Sequence, residues 1–247
     1  MDVLLLAAVM LFAASLFTVT AISIAMSRHV DGASFGHSAA GASQDLQRLL
    51  TDVRVVLPAQ FMAYLVVLVF MVQIVRRRYQ QSFLSAIKWN WPTAKWPSYI
   101  LVGVGLAFAI SLLSRFLPET KNLPIDALFQ GPRAAYILAG FGIFVAPFME
   151  EFFFRGFLYP VLARRLGFFW AVVLTAVGFM SIHASQLAES WRPLLVLFVV
   201  GSVLTLVRAF RQSVAASVLV HMGYNGTLFI MLYLATQGFH HLEPLTR

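Results

Sequence analysis

"FGIFVAPFMEEFFFRGFLYP", Phe141 to Pro160, contains twenty residues and only three charges, at Glu150, Glu151 and Arg155. In a soluble domain such a cluster would be an ordinary surface turn. The surroundings argue otherwise. The chain has 247 residues, of which 60% are hydrophobic and 11% charged, and a soluble domain of this size needs far more polar surface. Apolar runs recur in nearly every quarter, and several reach the roughly 20 residues a helix needs to cross a bilayer. The expected fold is an all-α, polytopic membrane bundle of about seven hydrophobic helices, with no room for a sizeable soluble domain.

Outward from that stretch, the fourth helix is expected over 134–149. A helix over 150–165 either continues it or follows a break near Pro147. The fifth, sixth and seventh helices are expected over 168–187, 193–208 and 212–236. Upstream, the first three are expected over 3–26, 55–75 and 98–117. Val3–Met26 has no basic residues before it and is long for a signal-peptide core, so it reads as a retained span. "WNWPTAKWP" carries Trp89, Trp91 and Trp96 and reads as an interfacial segment, where indole rings favour the headgroup level.

The net charge of +8 raises nucleic acid as a partner. The basic residues, however, sit in short clusters beside spans, as at Arg76–Arg78 and at Arg164 and Arg165. Such clusters set topology and contact anionic lipids, so lipid is the expected partner and nucleic acid is not. Arg76, Arg77, Arg78, Lys88, Lys95, Arg155, Arg164, Arg165, Arg208 and Arg211 fall on one side of a seven-crossing bundle. That side should be cytoplasmic, with the amino terminus inside and the carboxyl terminus outside. There is no cysteine, which removes disulfide and thiolate chemistry. Carboxylate, histidine, hydroxyl, or a metal held by nitrogen and oxygen remain.

Ionisable groups at membrane depth are costly and face the bundle interior or a water-filled cavity. Besides Glu150, Glu151 and Arg155, the set contains His183 in "GFMSIHASQ", and His221 with Asn225 in "LVHMGYNGTLF". Residues four apart share a helix face, so Glu151 is the partner of Arg155. Glu150 lies about 100° around the helix and is expected to point, unpartnered, into a cavity as a general base. His221 and Asn225 are again four apart and aim at one spot. Phe179 lies one turn before His183 and is expected to restrict the imidazole by packing. Gly223 and Gly226 are expected to let another helix approach closely.

This inventory suffices to hydrolyse an amide bond. Glu150, aided by His183, takes a proton from water. His221 and Asn225 donate hydrogen bonds to the oxyanion, provided His221 has a proton on the facing nitrogen. The alternative is zinc on Glu150, His183 and His221 with an open position for water, although no "HExxH" is present. Spacing does not choose between them. His29, His37, His240 and His241 fall in polar connections or the tail and read as solvent-facing.

"EEFFFR" matches EExxxR at Glu150, Glu151 and Arg155; "FMSIH" matches FxxxH at Phe179 and His183; "HMGYN" matches HxxxN at His221 and Asn225. In that order the three motifs resemble those of the CAAX-processing and bacteriocin-processing (CPBP or Abi) intramembrane endopeptidases, over residues 134–230. The resemblance implies a helical membrane core whose cavity opens toward membrane and cytosol. It implies Glu150 and His183 as the water-activating pair, His221 and Asn225 as the oxyanion site, and Glu151 and Arg155 as structural support. It also implies a glutamate-dependent endopeptidase acting on a membrane-associated or lipidated protein or peptide in a prokaryotic cytoplasmic membrane. No cofactor is preferred, and a zinc metalloprotease is the alternative. Neither the substrate nor an oligomeric state is indicated. A different class of reading is a non-catalytic peptide-binding scaffold or bacteriocin-immunity protein. The chain thus divides into membrane helices and loops over 1–133, a catalytic membrane core over 134–236 and a short polar tail over 237–247.

Overall fold

The computed structural model describes residues 51–117, 123–187 and 190–242, and the expected first span over 3–26 lies outside them. The chain forms two units, 1–78 and 79–247. In the first, α1 (Val53–Ile74) opens on Asp52, whose carboxylate accepts the Arg54 N–H at 2.8 Å. This satisfies one of the amide donors that a helix start leaves without an internal partner. A π-helical turn, Val75–Tyr79, follows and carries Arg76, Arg77 and Arg78.

The second unit contains α2 (Phe83–Ala86), α3 (Trp96–Ser114), α4 (Pro132–Phe144) and α5 (Ala146–Glu151). A π-helical segment, Phe152–Leu158, then leads into α6 (Tyr159–Ser181), followed by α7 (Trp191–Arg211) and α8 (Val214–Ala235). Proline begins α4, where its missing N–H costs nothing. Gln212 takes a left-handed conformation after α7, and Ser213 caps α8 by accepting the Ala216 N–H at 3.0 Å.

Helix α8 is the central element and packs on α3, α4, α5 and α7. Its approach to α3 is backbone to backbone. A Cβ on Gly103 would stand 2.1 Å from the Val220 carbonyl oxygen, and one on Gly223 would stand 2.3 Å from that of Ile100. In a bilayer, where lipid is as apolar as leucine, such close packing replaces the hydrophobic drive between helices. Gly223 therefore acts as its position suggested, but Gly226 does not. A Cβ there would meet only Ile143 Cγ2, at 4.0 Å, an ordinary contact. Ala107 and Ile110 of α3, Val200 and Leu204 of α7, and Val220 and Tyr224 of α8 bury one another beside this crossing.

Five helical runs among the described residues are long and apolar enough to cross a membrane, so the count of about seven is not confirmed. The expected fourth helix and the expected fifth as far as Ser181 lie within one run, Pro132–Ser181, of 50 residues; the last residues of the expected fifth, 182–187, form turns that include a 3-10 turn, Ser185–Leu187. Straight, the run would measure about 75 Å at 1.5 Å per residue, against a hydrocarbon core of ~30 Å. It is not straight. Helix breaks occur at Val145 (φ −104°, ψ −55°), two residues before Pro147, and at Gly167 (φ 78°, ψ 174°). Proline removes a helical N–H and crowds the preceding turn, while glycine accepts positive φ without a Cβ clash.

The three tryptophans differ in environment. Trp91 and Trp96 are exposed, whereas Trp89 packs on Phe148 and Phe152, with ring centroids 5.9 and 5.4 Å apart. The loop holding Trp89 is tied to the α7–α8 turn: Val214 N–H donates to the Lys88 carbonyl at 3.1 Å, and Asn90 Nδ2 donates to that of Gln212 at 2.8 Å. Arg208, counted above with the topology-setting bases, is buried. The tail, expected to be polar, carries a packed residue, Phe239, which is buried against Tyr136 and Tyr233.

Candidate active site

The two glutamates end α5, and the π-helical segment directly after them places Arg155. A π-helical turn widens the helix locally and often marks a functional site. Arg155 is fully buried and spends its guanidinium on three partners. Nη1 donates to Glu151 Oε1 at 2.7 Å, Nη2 to the Gly201 carbonyl at 2.8 Å, and Nε to Thr205 Oγ1 at 3.3 Å. Thr205 in turn donates to the Gly201 carbonyl at 2.7 Å. The Phe179 ring covers the guanidinium, its centroid 4.6 Å from Cζ, a cation–π contact in a desolvated setting. Arg155 thereby fixes α5 to α7, and Glu151 supplies its counter-charge.

Glu151 is also fully buried and receives two donors from α8. Ser217 Oγ lies 2.5 Å from Oε2, and His221 Nδ1 lies 2.9 Å from Oε1. Ser217 and His221 are one turn apart, so one face of α8 serves one carboxylate.

Glu150 is only 7% exposed, on the side of α5 that faces the histidines. Its Oε2 lies 3.8 Å from His221 Nε2 and its Oε1 lies 4.0 Å from His183 Nε2. The expected unpartnered carboxylate is therefore faced by two imidazoles. His183 follows the end of α6, and its Nδ1 lies 2.9 Å from the Phe179 carbonyl. A carbonyl only accepts, so that nitrogen carries a proton and Nε2 is the ring nitrogen turned toward Glu150. The same logic applies to His221, whose Nδ1 faces a carboxylate. Phe179 packs on both imidazoles, with centroids 5.1 Å from His183 and 5.8 Å from His221. The His183 side chain, 21% exposed, is the open edge of this cluster.

Asn225 lies one turn beyond His221, but its Nδ2 donates to the Gly142 carbonyl on α4 at 2.7 Å. It ties two helices together and has one further amide hydrogen. His240 and His241 are exposed beyond α8, away from these contacts.

Both histidines hold Nδ1 against an acceptor and offer Nε2, the orientation that metal-ligating imidazoles adopt. The spacing is wider than a metal needs: zinc bonds of about 2.0–2.2 Å put tetrahedral donors roughly 3.4 Å apart. Among the described residues no group of three or more His, Asp or Glu side chains is placed to hold a metal ion.

Ser217, Thr205, Gly201 and the Phe179 carbonyl were not singled out from the sequence. Ser217 alone had a readable signal, its position four residues before His221.

Two buried carboxylates and two imidazoles thus come together beside α8 in a helical membrane chain. Residues 132–227 match the family model described as type II CAAX prenyl endopeptidase Rce1-like, so this segment is similar to the CAAX-processing membrane endopeptidases. All seven residues singled out by the three motifs fall inside it. No curated protein and no solved structure matches.

Proposed function

We propose that the chain is an intramembrane endopeptidase in which Glu150 activates water for attack on a peptide carbonyl. One observation carries this reading: two imidazoles turn Nε2 toward Glu150 at 3.8 and 4.0 Å. These separations are too long for direct hydrogen bonds and suit a bridging water. A water oxygen about 2.8 Å from both groups would subtend roughly 90° between them.

Glu150 takes a proton from that water as the hydroxyl adds to the carbonyl carbon. The carbonyl oxygen becomes the oxyanion. The proton then passes from Glu150, directly or through His183, to the leaving amine as the C–N bond breaks. The Nδ1 of His221 rests on Glu151, so a proton on the facing Nε2 would make this imidazole a donor to the oxyanion. The second amide hydrogen of Asn225 is the other candidate donor, while the first keeps Asn225 in place on Gly142.

The substrate proposed is a membrane-associated or lipidated protein or peptide. A family of CAAX prenyl endopeptidases makes a prenylated carboxyl-terminal peptide the first to try. The test is mass spectrometry of peptide termini in membranes carrying wild-type protein or Glu150→Gln. New termini confined to wild type support the reading. Identical termini, with the variant folded, contradict it and favour a peptide-binding scaffold.

A further inference from the structure

We infer that Ser217 is a positioning residue of this site, setting the proton placement of His221 through Glu151. The inference rests on the proposed roles of Glu150 and His221. Ser217 is fully buried on α8, one turn before His221. Its hydroxyl lies 2.5 Å from Glu151 Oε2 and 3.0 Å from the Leu204 carbonyl of α7. It therefore stands where α5, α7 and α8 meet.

The two oxygens of Glu151 have separate partners. Oε1 receives Arg155 Nη1 at 2.7 Å and His221 Nδ1 at 2.9 Å. Oε2 receives Ser217. The terminal torsion of a glutamate is soft and broad, so Arg155 at one oxygen does not by itself fix the carboxylate plane. A donor at the other oxygen does. With the plane fixed, Oε1 stays in line with His221 Nδ1, the proton stays on that nitrogen, and Nε2 faces Glu150. Without the hydroxyl, Oε2 is a buried acceptor lacking its donor. The carboxylate can then turn toward Arg155 to recover a second guanidinium bond, which weakens the hold on His221. Ser217 does not touch the proposed reacting atoms; it acts on them through two intervening groups.

The test is 15N NMR of histidine-labelled protein in nanodiscs, with His221 assigned from the spectrum of His221→Gln. In wild type, neutral His221 is expected to be protonated at Nδ1. In Ser217→Ala that bias should fall roughly tenfold, the scale of one charge-assisted hydrogen bond. Ser217→Thr, which keeps the hydroxyl, should restore it. An unchanged His221 tautomer in folded Ser217→Ala overturns the inference, as does equal loss of bias in Ser217→Thr and Ser217→Ala. This readout needs no substrate. Cleavage by folded Glu150→Gln would end the peptidase reading, whereas an unchanged tautomer in Ser217→Ala would end only the role given to Ser217.

Discussion

Glu150 and Glu151, adjacent in the chain, approach the same imidazole from its two nitrogens. Glu151 Oε1 lies 2.9 Å from His221 Nδ1 and Glu150 Oε2 lies 3.8 Å from Nε2. A helical step of about 100° would merely separate two carboxylates. Here it lets one orient a histidine and the other share that histidine's opposite edge. Glu151 is thus coupled to the proposed chemistry as well as to Arg155.

Loss of the Glu151 charge should therefore cost more stability than loss of the Glu150 charge. Glu151→Gln leaves Arg155 as a buried cation without its carboxylate, and breaking such a pair costs about 3–5 kcal/mol. Thermal unfolding in detergent should show a large fall for Glu151→Gln and little change for Glu150→Gln. Equal midpoints for wild type and Glu151→Gln would refute the assigned division.

The α3–α8 crossing makes a second prediction. Gly103→Ala and Gly223→Ala each force a methyl group into a backbone carbonyl, because the ideal Cβ positions lie 2.1 and 2.3 Å from oxygen. Each should destabilise the fold by about 1–3 kcal/mol or prevent its assembly. Gly226→Ala should stay within about 0.5 kcal/mol of wild type. The same unfolding measurement separates them, and tolerance of Ala at Gly103 would contradict the described contact.

Asn225 has two jobs in this account, and they separate kinetically. Its tie to the Gly142 carbonyl supports packing, while its second amide hydrogen is offered to the oxyanion. Asn225→Ala should lower both the unfolding midpoint and kcat, the latter by about 10²–10³ as for removal of one oxyanion donor. A fall in midpoint with unchanged kcat per folded molecule would leave Asn225 a structural tether only.

Glutamate-activated water predicts that chelation leaves cleavage unchanged. Purified protein should hold no stoichiometric zinc by elemental analysis, and EDTA or phenanthroline treatment should preserve turnover. Loss of activity restored specifically by zinc would reverse this and assign Glu150, His183 and His221 as ligands.

Legibility in the sequence followed range along the chain. The Glu151–Arg155 pair was visible because a helix fixes what lies four residues away. The interruptions at Val145 and Gly167 were legible from Pro147 and from the gap between the helices expected over 150–165 and 168–187. The remaining links to Arg155, Glu151 and Asn225 were not legible. Arg155 to Thr205 spans 50 residues, Ser217 to Glu151 spans 66, and Asn225 to Gly142 spans 83. Such contacts depend on how α5, α7, α4 and α8 dock, and helical spacing does not encode docking. The π-helical segment was also hidden, because "FFFRGFL" suits an ordinary helix until packing selects the wider turn.

The most direct test of the account is turnover by Glu150→Gln, reconstituted in nanodiscs with a quenched fluorescent farnesylated CAAX peptide and with the termini found by mass spectrometry. The account predicts a variant that unfolds at the wild-type temperature and cleaves about 10²–10⁴ times more slowly, the contribution expected of a general base. Wild-type turnover by the folded variant would contradict it.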